Sequence, residues 1–520
     1  MARSLGVMLM SVENRRTFLS WLSKSGLALA AAGTTTMAGR TAAAADQHDI
    51  LVFTNATLID GTGAGPRPDT TIVVAGNRIV AVGHHGIEPP AGVRVVNLRG
   101  KYVLPGLWDM HAHSVDFERI MPPLWIANGV TSVREMWGVP FVRAVHRRIA
   151  SGEILGPRMV VSSTIVDGPN SWLVNLWDDN KPIQVRTEAE ARAAVRQVKR
   201  DGADFVKVYS LLRDDTLAAV AAEADRLRLP IAGHAPDTVS VVRSSALGMR
   251  TQEHLYALYV DVSSARDDIR HAIENTPIDP ANPFNYFFAV RELERQAIRS
   301  YDPRRAAEVF AALVRNGTAL TPTLTVLKLF TSSAAEIRDV TREKYVPEWV
   351  RRLRWALSDE PLPPDVIASN RAFFEASARL VRDAADAGVT MVAGTDGGFL
   401  APYILAGFCT HDELDLMVRI GLTPMQAILS ATRDAARTVG LQNVSGTVTP
   451  GKFADLLIVD ANPLTNIRNT QRIHAIVANG RLITRAERER MLAEVVAEAA
   501  RIPPPATQQL GGSCCTPLHR

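Results

Sequence analysis

The middle of the chain, from about residue 105 to residue 440, alternates short apolar runs with longer amphipathic stretches. Short apolar runs between turn residues are typical of buried strands, and amphipathic stretches such as Glu188–Arg200 and Asp215–Leu227 predict helices. The predicted strands are Leu107–His113, Val130–Met136, Met159–Ser163, Phe205–Tyr209, Pro230–His234, Thr251–His254, Ala319–Leu324 and Met391–Asp396. Eight such β/α units predict an α/β fold, a (β/α)8 TIM barrel over residues 105–440, with its active site at the C-terminal strand ends.

The two ends of the chain, residues 46–104 and 441–485, carry β-rich runs separated by turn residues. The runs are Ile50–Phe53, Thr71–Val74, Ala454–Val459 and Ile473–Val477. Because they flank the long middle, we expect one small β-sandwich assembled from both ends. Residues 486–520 are expected to form a C-terminal helix and a tail.

Two long segments, residues 261–310 and 328–385, interrupt the alternation of predicted strands and helices after the sixth and seventh strands. Both are charged and partly helical. Long loops over a barrel mouth shape substrate access, whereas peripheral helices on the barrel's side do not. The sequence leaves both alternatives open.

Residues 1–45 have the pattern of a twin-arginine signal peptide. Arg15 and Arg16 precede the short apolar region Gly26–Ala32, and Ala42–Ala45 offers a cleavage site. We therefore expect the twin-arginine export machinery as a partner and a periplasmic or extracellular location. No apolar run reaches the ~18 residues of a membrane span, so we predict no integral membrane span.

Charge and cysteine content exclude two further classes of protein. The net charge of +4 is carried by the first 45 residues, which hold five basic residues and one acidic residue, so the remaining chain is close to neutral and no nucleic-acid partner is expected. The three cysteines, Cys409, Cys514 and Cys515, are too few for a disulfide scaffold.

Chemistry-bearing residues lie at the ends of the predicted strands. His111 and His113 close the first strand, and alternate residues of a strand point to the same face, so both imidazoles can bind one metal ion. Such a pair also occurs on ordinary surface strands, and its significance depends on the residues downstream.

Four further residues with metal-binding side chains lie at the end of a predicted strand or within one. His234, His254 and Asp396 end the fifth, sixth and eighth predicted strands, and Lys207 is a charge within an apolar strand. Taken singly, Lys207 could equally be a surface lysine instead of a metal ligand, and Asp396 could equally be a helix cap. Taken together with the first two histidines, the set predicts a buried metal site.

The motifs resemble those of the amidohydrolase superfamily, in its imidazolonepropionase-like and Xaa-Pro-dipeptidase-like branch. The matching stretches are Leu104–His113, Gly129–Glu135, Gly202–Lys207, Gly233–Ala235, Glu253-His254, Thr321–Leu324, Ala393–Gly397, Gly421–Pro424 and Pro450–Leu456. The resemblance covers about residues 49–485.

The resemblance implies a centre of two divalent metal ions. His111, His113 and Asp396 would bind one ion, and His234 and His254 the other. Lys207, carboxylated on its Nζ by CO₂, would bridge the two ions. Imidazoles and carboxylates suit zinc, which we expect as the metal.

The implied activity is that of an exported metal-dependent amidohydrolase acting on a small molecule. A metal-bridging hydroxide would cleave an amide or peptide C–N bond, and Asp396 would pass the proton to the leaving nitrogen. The substrate types expected are those of a dipeptidase, a carboxypeptidase or an N-acyl amino acid hydrolase. The alternatives are the same fold acting on a cyclic amide, a lactone or an organophosphate ester, and, more distantly, a binding protein without catalysis.

Four residues are candidates for substrate contacts. Tyr209 follows Lys207 by two residues on the same strand face, and Tyr256 follows His254. Arg134 on the second strand matches a common family arginine, and its alternative role is to support the ligands without contacting substrate. His411, which lies with Glu413 after the eighth strand, also matches a family pattern. The oligomeric state stays open, with a homo-oligomer among the alternatives.

Overall fold

The computed structural model describes most of the chain between residues 50 and 504. The described ranges are 50–84, 92–114, 117–175, 181–353, 355, 362–398 and 401–504. The predicted signal peptide and Cys514 and Cys515 lie outside the described residues. Within the described ranges, no helix is long and apolar enough to cross a bilayer.

The strands are numbered in chain order. They are β1 (Ile50–Leu58), β2 (Arg67–Ala75), β3 (Arg78–Gly83), β4 (Arg94–Asn97), β5 (Tyr102–Pro105), β6 (Leu107–Ala112), β7 (Val130–Glu135), β8 (Arg158–Val161), β9 (Val166–Asp167), β10 (Ile183–Gln184), β11 (Val206–Val208), β12 (Ile231–Gly233), β13 (Met249–Glu253), β14 (Ala319–Thr321), β15 (Leu456–Val459), β16 (Ile473–Ala478) and β17 (Arg481–Ile483).

Strands from the two ends of the chain form one sheet. Its order is β17-β16-β15-β5-β1-β2-β3, with β4 beside β1. The two ends join where β15 pairs antiparallel with β5, for example Leu457 with Leu104. Buried side chains such as Phe53, Ile72 and Ile458 form the apolar core beneath this sheet. Strands from both ends thus lie in one sheet, and the β-sandwich domain stays a prediction.

The middle of the chain contains two parallel sheets, of order β6-β7-β8 and β10-β9-β11-β12-β13-β14. Every strand pair in them is parallel. Single parallel bridges extend this pairing from Ser162 to Phe205, from Leu320 to Met391 and from Ala112 to Gly397. The α/β pattern of the sequence is therefore confirmed.

Seven of the eight predicted strands coincide with β6, β7, β8, β11, β12, β13 and β14 to within about two to three residues. The eighth prediction, Met391–Asp396, is wrong as a regular strand, because these residues make only the single bridge at Met391. The amides of Thr395 and Asp396 both donate to the carbonyl of His111, at 3.3 and 2.7 Å. Asp396 adopts the left-handed region, with φ of 60°, which interrupts a strand ladder.

The helices are also numbered in chain order. They are α1 (Met121–Ala127), α2 (Pro140–Ala150), α3 (Glu188–Arg200), α4 (Asp214–Arg226), α5 (Val241–Ala246), α6 (Tyr256–Asp261), α7 (Arg266–Glu274), α8 (Phe284–Arg299), α9 (Pro303–Asn316), α10 (Leu324–Thr331), α11 (Ala334–Ile337), α12 (Glu348–Leu353), α13 (Pro364–Asp386), α14 (Phe408–Arg419), α15 (Pro424–Ser430), α16 (Arg433–Thr438) and α17 (Arg485–Arg501).

The two long segments after β13 and β14 are mostly helical. Helix α8 packs against α6, which directly follows β13, and α13 packs against both α8 and α10. Phe287 of α8 and Phe373 of α13 face cavities at the carboxyl ends of β12 to β14. Of the two alternatives left by the sequence, the structure thus favours segments that shape access to the strand ends.

Candidate active site

Three predicted ligands converge on one point. The Nε2 atoms of His111 and His113 lie 3.2 and 2.8 Å from Oδ1 of Asp396. One ligand atom from each residue lies within 4.8 Å of the other two, and all three side chains are buried. His111 and His113 occupy the end of β6, and the hydrogen bonds from the Thr395–Asp396 turn to β6 bring the carboxylate beside them. Two imidazoles and a carboxylate in this arrangement suit a divalent ion such as zinc.

The other three predicted ligands line the same cavity. His234 and His254 follow β12 and β13, and their ring centroids are 4.9 Å apart, as are those of His111 and His254. Lys207 lies in the middle of β11 and is almost fully buried. The structure therefore brings together all six residues that the sequence singled out as ligands.

Each of three histidines is oriented through its Nδ1 atom. Nδ1 of His111 lies 2.9 Å from a carboxylate oxygen of Glu253. The Nδ1 atoms of His234 and His254 lie 3.0 and 2.6 Å from hydroxyl oxygens. The hydroxyls belong to Ser210 and Thr323. Such partners orient the rings, and the carboxylate of Glu253, which can only accept, also favours the tautomer of His111 with its proton on Nδ1.

Burial sets the protonation of these groups. Burial lowers the pKa of His254 to about 3, and burial together with the charge of Lys207 holds the pKa of His234 well below its ordinary value. Burial alone would raise the pKa of Asp396, but hydrogen bonds from His111 and His113 hold it well below its usual range. Neutral imidazoles and an ionised carboxylate are the forms that bind metal.

The backbone at the site adopts sparsely populated conformations. His254, Thr323 and Asp396 have positive φ values of 62°, 46° and 60°. Non-glycine residues rarely adopt this region, and such residues cluster at functional sites. Gly233 of β12 approaches β11 closely, since a Cβ there would lie 2.1 Å from the carbonyl oxygen of Val208.

Comparison with known proteins agrees with this geometry. The model of the amidohydrolase family matches residues 102–483. The chain belongs to the amidohydrolase family. The prediction of a hydrolase acting on carbon–nitrogen bonds is thereby confirmed, and the family is generally metal-dependent.

Relatives of this amidohydrolase are distant in sequence but similar over most of their length. Ochratoxinase from Aspergillus niger is 22% identical over 493 residues, covering 84% of this chain and 86% of that protein. A crystal structure of a Xaa-Pro dipeptidase with bound methionine has a TM-score of 0.59 at 20% identity, covering 84% of this chain and 100% of that one. Bottromycin amidohydrolase has a TM-score of 0.67 at 23% identity, covering 88% and 92%. Such neighbours imply a TIM-barrel fold.

In this amidohydrolase both predicted tyrosines line the cavity. The ring of Tyr209 stacks on His234 with centroids 3.9 Å apart, and Tyr256 lies 4.9 Å from the ring of His254. Both are therefore placed to contact a substrate bound at the histidines.

Arg134 and His411 do not line the cavity. Arg134 is buried and pairs with Glu253 at 2.8 Å, so it contacts the residue that orients His111. This position fits the alternative in which Arg134 supports the site from behind. The two ring nitrogens of His411 are each 2.9 Å from protein oxygens, Oγ1 of Thr470 and the carbonyl of Asn128. Substrate contact by either residue stays a prediction.

Several residues at the site were not predicted from the sequence. Glu253 could have been recognised, since it is an acid in an otherwise uncharged strand end directly before His254. Glu413, which the sequence did single out together with His411, accepts hydrogen bonds from the first amides of α10, at 2.9 and 2.8 Å. Trp172 and Phe287 also line the cavity, and no motif marks them.

Proposed function

We propose that this amidohydrolase is an exported enzyme that cleaves an amide or peptide C–N bond at a two-metal centre. The substrate types are those of a dipeptidase, a carboxypeptidase or an N-acyl amino acid hydrolase. The observation that carries the proposal is the convergence of His111, His113 and Asp396 in a buried cavity that Lys207, His234 and His254 also line.

The proposed barrel is a closed ring of eight strand positions. Its support is the continuous set of parallel pairings from β6 through β8 to β11 and β14, then to residues 391–397 and back to β6. Amide hydrogen bonds from Met110 to Ala393 and from His113 to Gly397 lie along the closing contact. All six ligands then fall on one rim, as active sites of such barrels do.

The two ions are assigned to the two groups of ligands. His111, His113 and Asp396 would hold one ion, and His234 and His254 the other, with Lys207 between them as a carbamate. Burial disfavours a charged ammonium, and the neutral amine is the form that reacts with CO₂. When bound, the ions supply Lewis acidity and lower the pKa of water toward ~7.

The chain's own residues orient the substrate and move its proton. The carboxylate of Asp396 lies beside the ligands His111 and His113, and it would accept the proton of the attacking water and return it to the leaving nitrogen. The stacked rings of Tyr209 and His234 form one wall of the cavity, and Trp172 stands 5.6 Å from Tyr209. This apolar wall excludes bulk water from the reacting bond.

Two further parts of the proposal rest on other observations. Amide or peptide cleavage is supported by relatives whose names are Xaa-Pro dipeptidase and ochratoxinase. Export to the periplasm or the exterior, through the twin-arginine machinery, is supported by the twin-arginine pattern at Arg15 and Arg16. Zinc is the proposed metal because the donors are nitrogen and carboxylate oxygen.

The test is turnover by the metal-replete protein lacking residues 1–45 on a library of dipeptides and N-acyl amino acids. We expect release of a free amino acid that stops after chelation and returns when zinc is restored. No release from any member while two metals are bound would overturn amide cleavage. Lactones, cyclic amides and phosphate esters would then be the substrates to examine.

A further inference from the structure

A second cavity adjoins the one at the histidines. The cavity at the histidines measures about 30 Å³, room for roughly two water molecules. The adjoining cavity measures about 410 Å³ and shares His254, Tyr256 and Phe287 with the first. A bond held at the metal ligands therefore leaves the bulk of one half of the substrate in this larger space, which we call the aromatic chamber.

The aromatic chamber is built mainly by the two long segments. Six aromatic rings line it, from α6, α8, α10 and α13: Tyr256, Tyr259, Phe287, Phe288, Phe330 and Phe373. A cavity of 300–1,000 Å³ with aromatic side chains in its lining is typical of small-molecule sites. The lining fits a ring of the ligand, since aromatic pairs gain from stacked and edge-to-face contacts.

One of the chamber's three arginines is already engaged by acids. Arg291 on α8 contacts Asp237 at 2.7 Å and Glu294 at 3.1 Å. Its guanidinium carbon also lies 3.9 Å from the centre of the Tyr256 ring. Arg291 therefore holds Tyr256 in place, and its charge is balanced by protein.

The charges of the other two arginines are not paired with acidic side chains in the described part of the chain. Arg295 and Arg299 follow on the same face of α8, and neither has a hydrogen-bond or ion-pair partner among the described residues. The half-buried guanidinium of Arg295 lies 4.5 Å over the ring of Phe373. A guanidinium that stacks on an aromatic face leaves the N–H donors at its own edge free to bind an anion.

The acidic residues that line the chamber do not neutralise the positive charge of Arg295 within it. Glu294 is committed to Arg291, and Glu292 and Asp365 are exposed to water at the edge. Charges in water are screened strongly, whereas the half-buried Arg295 is screened less. The field within the chamber is therefore that of a cation beside aromatic rings.

We propose that the aromatic chamber is the specificity subsite for an aromatic group of the substrate that carries a carboxylate. Arg295 binds the anion, and Phe373 and its neighbouring rings pack on the aromatic group. The inference deepens the proposed function and rests on it, since it assigns the chamber to one half of the molecule whose C–N bond is cleaved.

The test is equilibrium binding of three probes to the metal-replete protein lacking residues 1–45. The probes are 3-phenylpropanoate, the neutral 3-phenylpropanol and the aliphatic hexanoate. We expect 3-phenylpropanoate to bind most tightly and Arg295→Gln to weaken it roughly tenfold while leaving 3-phenylpropanol unchanged. Phe373→Leu should weaken both aromatic probes. Arg295→Lys, which keeps the charge, should recover part of the loss.

Matched controls are Arg315→Gln and Phe141→Leu, which change exposed residues of α9 and α2 outside the chamber. The proposal is overturned if 3-phenylpropanoate binds no better than hexanoate, or if Arg295→Gln leaves its affinity unchanged. An unchanged affinity would place the carboxylate on the metal ions instead, because Arg295 does not line the cavity at the histidines.

The binding readout separates this inference from the proposed function. Binding that depends on Arg295 without hydrolysis of any amide keeps the chamber and overturns the proposed reaction. The enzyme could instead hydrolyse amides with and without an aromatic anion at equal rates, and bind the probes independently of Arg295. That result would support the proposed function and overturn the assignment of the chamber. Loss of both readouts overturns both.

Discussion

The ion pair between Arg134 and Glu253 offers the sharpest test of how the site is held. The two side chains are 3% and 0% exposed and meet at 2.8 Å. Burial alone would raise the pKa of Glu253, but Arg134 and His111 hold it below its ordinary range, so the carboxylate stays ionised. Glu253→Gln removes this charge while keeping the shape. Arg134 then becomes a buried cation that has lost its directly paired counter-charge.

The expected loss follows from the burial of the pair. Removing one partner of a buried pair costs about 3–5 kcal/mol, because the remaining charge is left uncompensated. We expect the lower end, about 3 kcal/mol, since the glutamine oxygen still accepts a hydrogen bond and Arg134 keeps the Met110 carbonyl at 2.6 Å. The loss of a charged partner at Nδ1 of His111 should also lower metal affinity by roughly ten- to a hundredfold.

Urea unfolding at one fixed zinc concentration measures the stability, and competition with a chromophoric chelator measures the affinity. Glu274→Gln, at the exposed end of α7, is the control and should change neither. Arg134→Met combined with Glu253→Leu should recover most of the stability, because apolar residues often replace a buried pair at little cost. It should not recover the metal affinity. A loss below about 1 kcal/mol for Glu253→Gln, or an unaltered affinity, would refute this account of the site.

Three further changes test individual residues. Asp396→Asn should leave the fold intact and abolish turnover, and near-parental rates with metal still bound would contradict its assignment as the proton carrier. Protein loaded with ¹³C-bicarbonate should show a carbamate carbon resonance that Lys207→Met lacks, and the same resonance in both would place the carbamate elsewhere. Gly233→Ala should cost about 1–3 kcal/mol in urea unfolding, because its Cβ would lie 2.1 Å from the Val208 carbonyl oxygen, and unchanged stability would argue against so close a packing of β12 on β11.

The sequence predicted the strands well where burial alone decides them. β6 and β7 are entirely buried, so their apolar runs stand out against the helices, and α3 matched its predicted bounds. The eighth strand could not be predicted in the same way. Its apolar residues signalled a strand, but the hydrogen bonds of Thr395 and Asp396 to the His111 carbonyl depend on a partner 284 residues or more away.

The candidate ligands were predictable because they belong to the few residue types that bind metal and lie at or near the ends of apolar runs, or, for Lys207, within one. Arg134 and His411 show what such reasoning lacks. Both have the chemistry of a substrate contact, but their partners, Glu253 and Thr470, come from distant parts of the chain. Which way a polar side chain faces is decided by those partners, and no local pattern records them.

The chemistry and the specificity of this amidohydrolase lie on separate parts of the fold. The six ligands stand at strand ends whose geometry is set by the parallel sheets, whereas Arg295 and Phe373 stand on α8 and α13. Helices held to the site by side-chain contacts can exchange their lining residues without moving a candidate ligand. A change at Arg295 should therefore alter which substrate binds. This separation explains why family motifs predict the reaction and leave the substrate to the two long segments.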